Sequence, residues 1–427
     1  MFEFRPLGNA VAKQFGGGTP SRQVASYWNG PIPWASVKDF ADDRDRILGT
    51  QESISEAGLY ASASNLVPAG TPLVCTRMAV GRSAIAPMAI AINQDVKALA
   101  PAREINSAYL LRLLQYAQPR AEAAAVGSTV KGIRIQDYLS IPVPMAPAGD
   151  QPRIAEILHT LDTTIRQTEA IIEKLKQIKQ GLLHDLLTRG IDANGELRPP
   201  QSEAPHFYKE SVLGWIPKEW EVRHLAELLS SDDPAMRSGP FGSALLKSEL
   251  VKNGLPLLGI DNVHVERFVT NFTRFVTEKK FNELSRYAVR PHDLMITIMG
   301  TVGRCCVVPE DVGRALSSKH TWTVTLDKAK YSPLLAMLQI NYSPWILRQI
   351  AKDEQGGIMG AIRSETLRTL SLPTPPVDEQ LEIEARMQAA SNRIDIESTA
   401  LRKLRLEKVG LMDDLLTGRV RAAPLLI

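Results

Sequence analysis

The residues able to do chemistry are dispersed along the chain. Seven histidines stand singly, with no His-Glu-x-x-His pair and no ligand-spaced cluster, so metal chemistry has no support in the sequence. Cys75 and the adjacent Cys305 and Cys306 lack Cys-x-x-Cys spacing, which argues against a zinc site or a disulfide framework and leaves them as buried thiols. Neither an Asn-Pro-Pro nor an Asp-Pro-Pro core of an amino-methylating tetrapeptide is present. Phe15-Gly16-Gly17-Gly18 resembles a cofactor loop only superficially. No apolar strand precedes it, and Thr19-Pro20 occupies the place of the helix that should follow. There is no Gly-Lys-Ser or Gly-Lys-Thr, so a P-loop motor is excluded.

With catalytic chemistry unsupported, the elements themselves carry the information. At 427 residues and 44% hydrophobic composition, two domains of roughly 150 residues each plus connections are expected. The formal charge is only +3, from 50 Lys and Arg against 47 Asp and Glu, so any nucleic-acid face must be local. Glu3 and Arg5 stand where a secretory leader needs an apolar run, and the apolar stretch 84–92 is short and broken by Pro87. A soluble cytoplasmic protein, without a membrane partner, is expected.

The chain repeats itself. A shift of 229 residues aligns 150–188 with 379–417 without a gap, and 12 of the 39 pairs are identical. In the first copy Ile154, Leu158, Leu161, Ile165, Ile172, Leu175, Leu182 and Leu186 follow steps of three and four, the seam of a long amphipathic helix. The second copy keeps the register with Ile383, Met387, Ala390, Ile394, Leu401, Leu404, Leu411 and Leu415. Polar residues interrupt both seams at matching points, Thr168 with Glu397 and Lys179 with Lys408. Prolines precede each copy, and Gly190 and Gly418 are expected as the stops. A helix of about 38 residues spans roughly 57 Å and needs a partner. The other copy is the simplest one; packing of each helix on its own domain is the alternative. Leu182, Leu183, Leu186 and Leu187, with Leu411, Met412, Leu415 and Leu416, put more apolar surface around the helix ends than a two-stranded seam requires. That surface faces either another subunit or the chain's own domains.

Weaker matches extend the repeat upstream. Gly17-Gly18-Thr19-Pro20-Ser21 pairs with 238–243, Asn29-Gly30-Pro31-Ile32-Pro33-Trp34 with 253–258, and Val80-Gly81-Arg82 with Val302-Gly303-Arg304. Each half ends in a Gly-rich turn and a basic segment, 127–134 and 356–363. The expected layout is a domain at 1–149, a helix at 150–190, a linker at 191–212, a domain at 213–376, a helix at 377–418 and a tail at 419–427.

The Gly-Gly-Thr-Pro-Ser segment with its Asn-Gly-x-Ile-Pro-Trp sequel, the Pro-rich lead ending Asp378-Glu379-Gln380, and the twice-used helix ending Asp-Leu-Leu-Thr together resemble the specificity subunits of type I restriction-modification systems. The resemblance covers nearly the whole chain. It implies an α+β fold: two globular α/β target-recognition domains in pseudo-twofold arrangement, separated by two long helices forming an antiparallel coiled coil. It implies a non-enzymatic reader of double-stranded DNA with a bipartite target, each domain taking one half and the helices acting as spacer and dock. The partners implied are two methyltransferase subunits, which would bind S-adenosylmethionine, and restriction subunits, which would use ATP and Mg. No cofactor is expected in this chain. The first domain departs from the family pattern by starting abruptly, keeping only 4–12 of the Trp-containing lead that 213–220 supplies to the second.

Two modest half-interfaces on one rigid frame act at high effective concentration, and a frame of about 57 Å reaches at most around 17 base pairs. Residues 1–149 carry 14 basic against 11 acidic residues and 213–376 carry 20 against 17, so the excess is small and shared between the halves. The candidate DNA-binding residues are Arg22, Lys38, Arg77, Arg82, Lys131 and Arg134 in the first domain, and Arg237, Lys247, Arg304, Lys319, His320 and Arg363 in the second. They sit in or beside turns rich in Gly, Pro or Ser, where backbone approaches a phosphate closely and a long side chain reaches outward. Arg is also the commonest bidentate partner for guanine. A solvated surface charge is the alternative for any single one. A pure scaffold, two domains on a coiled coil that bind proteins and not DNA, is the competing function.

Overall fold

A computed structural model describes residues 1–41, 44–355 and 362–422 of the chain. They form two compact units, Met1–Ile172 with Ile396–Ile427, and Glu173–Asp395. The division falls inside both long helices, Gln151–Thr188 and Val377–Thr417, so each unit contains part of each helix.

The first unit has a four-stranded sheet whose strands run in the order Val11–Phe15, Val96–Pro101, Pro72–Cys75 and Ser83–Ile85. A second sheet orders Glu52–Ile54, Trp28–Ala35, Ile90–Ile92 and Asn65–Val67, with a parallel pairing of Trp34 against Ala91. The helix Ser107–Ala124 buries Tyr109, Leu110, Leu113 and Leu114 against Leu7, Val74 and Leu99. In the second unit the sheet order repeats: Met236–Ser238, Thr321–Val324, Leu294–Thr297 and Cys305–Val307. Its smaller sheet again has one parallel pairing, Leu257 against Leu316.

The repeat is enforced by residues doing the same job twice. Gln151 accepts from the Asn106 amide at 2.9 Å and donates to the Ala146 carbonyl at 3.0 Å. Gln380, one repeat later, accepts from the Ser332 amide at 2.9 Å and donates to the Pro375 carbonyl at 2.9 Å. Each glutamine thereby ties the start of a long helix to the N-cap of a domain helix, Ser107–Ala124 or Pro333–Tyr342. The hairpin at Gly81 also recurs. Cys75 N donates to Arg82 O at 2.8 Å and Gly81 N to Cys75 O at 2.9 Å, while Thr297 N donates to Arg304 O at 2.9 Å and Gly303 N to Thr297 O at 3.0 Å. Both turns require a left-handed residue, and φ is +83° at Gly81 and +81° at Gly303.

Every seam residue named from the sequence is buried or half-buried. Exposed apolar residues on these helices, such as Ile178 and Leu406, lie off the seam. In the first unit Lys408 reaches Asp162 at 2.5 Å and Arg405 reaches Glu169 at 2.7 Å, so the end of the second long helix runs antiparallel to the start of the first. The seams also pack on the domains. Ile154, Leu158, Leu415 and Leu416 join Leu7 and Tyr109 in one core; Leu183, Leu186, Leu187, Ile383 and Met387 join Ile216, Trp220 and Leu225 in the other. Of the helix-end residues that could face another subunit or the chain's own domains, Leu183, Leu186, Leu187, Leu415 and Leu416 are buried within their own units, while Leu182, Leu411 and Met412 pack there in part and stay half-buried.

The stretch expected as a linker is packed as well. Arg198 is buried and pairs with Glu379 at 2.6 Å, while Trp220 donates its indole N–H to the same carboxylate at 2.9 Å. Gly190, with φ +62°, ends the first long helix against this cluster; a Cβ there would lie 2.1 Å from Glu379 Oε1. The three cysteines are buried, and desolvation pushes the Cys306 thiol up to about 12.

Candidate nucleic-acid interface

The structure gathers three of the expected cations of the first unit into one surface. Residues 126–134 fold back on the hairpin that follows the strand Pro72–Cys75: Met78 N donates to Lys131 O at 2.9 Å, Ile133 N donates to Thr76 O at 2.9 Å, and Arg77 bridges Gly132. Arg77, Lys131 and Arg134 are all exposed. Arg77 and Arg134 line a cleft of 380 Å³ with Val126, Gly132 and Asp137. Arg77 also makes a 3.5 Å ion pair with Asp95, a partner that fixes its direction while 55% of the side chain stays exposed. A second group forms on the Trp28–Ala35 strand. The Arg22 guanidinium lies 3.8 Å from the Trp28 ring centroid and pairs with Glu52. The hydrogen bond from Arg22 holds the Glu52 carboxyl below its ordinary range, with Lys38 adding to the effect. Arg22 is thus a cation held in place by an aromatic face and a carboxylate.

In the second unit Lys319 is exposed and His320 half-buried on the turn before Thr321–Val324. Burial, with Lys319 and Arg274 close by, pulls His320 below its ordinary value, so at neutral pH its ring is an uncharged donor and acceptor. Arg274, which pairs with Asp261 over Gly259, belongs with this group and was not singled out from the sequence. Lys247 is exposed on a short turn. Arg82 and Arg304 are half-buried at the matching hairpins, and Arg82 reaches the Phe40 carbonyl at 3.5 Å. Arg134 and Arg363 take the same N-cap position on short helices, Ile135–Leu139 and Ser364–Arg368. Most of the second Gly-rich turn, 356–361, lies outside the described residues.

Arg237 is a correction. It is 4% exposed, pairs with the fully buried Asp293, and donates to the Ala288 carbonyl at 2.8 Å and the Thr325 hydroxyl at 2.9 Å. Its guanidinium is consumed inside the unit, and no part of it reaches a groove.

A further charged network was not anticipated. Arg112, on the helix Ser107–Ala124, is 2% exposed and bridges Asp162 at 2.5 Å to Asp45 at 3.1 Å; Arg166 joins Asp45 at 2.8 Å, and His159 lies 3.4 Å from it. Burial pushes the Asp45 carboxyl up, but Arg112, Arg166 and His159 more than offset this and hold it below its ordinary value. Together with Lys408 on Asp162, the network joins a domain helix, a loop and both long helices within the first unit. The polar break at Lys179 is used differently: it pairs with Glu266 at 2.8 Å in the second unit, where Tyr342 donates to the same carboxylate.

Among the described residues no group of His, Cys, Asp and Glu is arranged to hold a metal ion, and no helix is long and apolar enough to cross a membrane. What the two units offer is a duplicated α+β frame with basic turns, the construction of a paired recognition module. Residues 2–177 and 217–406 match the Type I restriction modification DNA specificity domain, and the chain belongs to that family. It is similar to the Type I restriction enzyme MjaVIII specificity subunit of Methanocaldococcus jannaschii, 23% identical over 330 residues that cover 74% of this chain and 71% of the relative. The Type I restriction enzyme EcoR124I/EcoR124II specificity subunit of Escherichia coli is 31% identical over 220 residues, 50% of this chain and 48% of that one. The fold matches the crystal structure of the type I restriction-modification system S subunit from M. genitalium with a TM-score of 0.56, at 14% identity, over 97% of this chain and 96% of the other.

Proposed function

We infer that this chain is the non-catalytic specificity subunit of a type I restriction-modification complex, and that each unit recognises one half of a split DNA target. The observation that carries this reading is the pair of hairpins at Gly81 and Gly303. Their backbones make the same hydrogen bonds, while the side chains at their tips differ, with Arg77-Met78 in one and Met299-Gly300 in the other. One frame with two different tips is what reading two different half-sites requires. Around it, Arg77, Lys131, Arg134, Arg22 and Lys38 in the first unit, and Lys319, His320, Arg274 and Lys247 in the second, are the groups assigned to phosphates and base edges. Arg82 and Arg304, half-buried at the two hairpins, sit closer to the frame, while Arg363, exposed at the N-cap position that Arg134 takes in the first unit, joins the candidate contacts of the second.

The net basic excess is too small for tight nonspecific binding, so partner subunits supply much of the grip on the duplex. Two methyltransferase subunits, using S-adenosylmethionine, would methylate adenine where this chain directs them. Restriction subunits, using ATP and Mg, would cleave. The long helices set the unread gap between half-sites.

Methylome sequencing tests the reading. Cells carrying this chain with its methyltransferase are compared with cells carrying the methyltransferase alone. A new methyladenine pattern in a split motif with a fixed gap is expected; a formed complex that adds no methylation would favour a protein-binding scaffold.

A further inference from the structure

Four non-glycine residues among those described have a positive φ: Asn29, Met78, Glu266 and His292. Met78, at +64°, is the one apolar side chain in this set. In that region the Cβ of an L-residue crowds the following carbonyl oxygen, a strain that glycine escapes. The fold itself does not ask for a side chain at this point, because the equivalent hairpin of the second unit has Gly300 there, with φ +75°. Nor does the side chain of Met78 pack into the core: the residue is 65% exposed. A strained backbone that carries an exposed apolar side chain where glycine would serve is a reason to look for what the side chain touches.

Its surroundings narrow the answer. Met78 follows the exposed Arg77, and its amide is fastened to Lys131 O. Val126, 78% exposed, lines the adjoining cleft with Arg77 and Arg134. Three cations around a small apolar tip fit a polyanion that has apolar groups at its reading edge. In the major groove that group is the C5-methyl of thymine, which marks a T·A pair without any hydrogen bond. A protein partner would instead meet two exposed cations, Lys131 and Arg134, at the rim of the contact, beside Arg77 with its 3.5 Å pairing to Asp95.

We propose that Met78 is a specificity-determining residue that contacts a thymine methyl in the half-site taken by the first unit; the inference rests on the recognition reading above. Arg77 and Lys131 anchor the hairpin to the duplex, and the thioether chain, unbranched and polarisable, fills the space over the methyl. The second unit, with Gly300 at this position and Met299 in place of Arg77, makes no such contact from the equivalent residue.

The test removes the methyl and the side chain in turn. The complex of this chain with its methyltransferase subunits is titrated against duplexes in which each thymine of the half-site is replaced by deoxyuridine, which deletes only the methyl. For one position the wild-type complex is expected to bind about fourfold more weakly, the factor given by one buried methyl-sized group. Met78→Gly, which the backbone accepts without strain, should bind the unmodified site more weakly by a similar factor and lose all sensitivity to that substitution; Met78→Leu should keep it. Equal deoxyuridine sensitivity in wild type and Met78→Gly overturns the proposal, as does a half-site with no methyl-sensitive thymine. Loss of methyltransferase assembly in Met78→Gly, with DNA discrimination intact, assigns the residue to a protein contact instead. A wild-type complex with no sequence preference at all removes the recognition reading, and this inference with it.

Discussion

Replacing Arg112 with methionine tests whether the buried ionic network holds the first unit together. The substitution keeps an unbranched chain of similar length but removes the donors that Asp162 and Asp45 receive at 2.5 and 3.1 Å. Deleting one partner of a buried pair costs about 3–5 kcal/mol, because the remaining charge is left desolvated. Two observations place this case at the lower end: Asp162 keeps Lys408, and Asp45 keeps Arg166. A loss of about 3 kcal/mol is expected, measured by urea denaturation followed by circular dichroism, with hydrogen exchange in Ser107–Ala124 locating the change. The pH dependence has a definite sign. The folded-state pKa of Asp45 is depressed, so its contribution is present above the unfolded value near ~3.9 and is lost as pH falls through the folded one. Arg112→Met removes part of that depression, and the gap between wild type and variant should narrow as pH drops below about 4. A loss under about 1 kcal/mol at neutral pH, or a gap that widens in acid, would refute the assignment of this network as a structural clamp.

The remaining predictions concern recognition and the frame. Arg77→Ala should reduce methylation at one half-site and spare the other, with a loss of affinity on the order of tenfold, within the range of one lost base contact; equal loss at both half-sites would mean a folding or general phosphate effect. Gly190→Ala should destabilise the second unit by about 3 kcal/mol in thermal melts, since its Cβ displaces Glu379 from Arg198, whereas Gly195→Ala, where a Cβ meets nothing within 4 Å, should cost only about 1. Inserting four residues after Thr168 and after Glu397 lengthens each helix by about 6 Å, so methylome sequencing should find the gap preference moved by about two base pairs; an unchanged gap would refute the helices as its ruler.

Much of the frame was legible in the sequence because the repeat preserves residues whose roles are local. Gln151 and Gln380, 229 residues apart, tie the long helices to the N-caps of domain helices in the same way, and Gly81 and Gly303, 222 apart, supply a conformation that other residues adopt only at a cost, so both pairs appear at nearly the same shift of the chain. The electrostatics were less visible because they depend on partners far along the chain. Arg237 stands beside Ser238-Gly239-Pro240 and looks like a turn cation, yet it lies on the strand Met236–Ser238, and its carboxylate partner is 56 residues away. Arg112 interrupts an apolar helix face and pairs with residues 50 and 67 positions distant, a match that no local pattern announces. Arg77, Lys131 and Arg134 were each identifiable as cations on turns; only the pairing of 126–134 with the hairpin shows that they share a surface.

The discontinuity of the first unit has a consequence for how the chain is made. Its core is closed by Leu415 and Leu416, which pack with Leu7, Ile154 and Leu158, and the whole of Glu173–Asp395 is synthesised between the two parts. The first domain therefore leaves the ribosome with part of its apolar floor missing, while the second unit finds all of its chain in one continuous stretch. Synthesis order is then opposed to completion order: the part made first is finished last. Until the final turns of the second helix arrive, that open seam is an exposed apolar groove on a nascent protein, where premature termination would leave an aggregation-prone chain and a chaperone would have reason to wait.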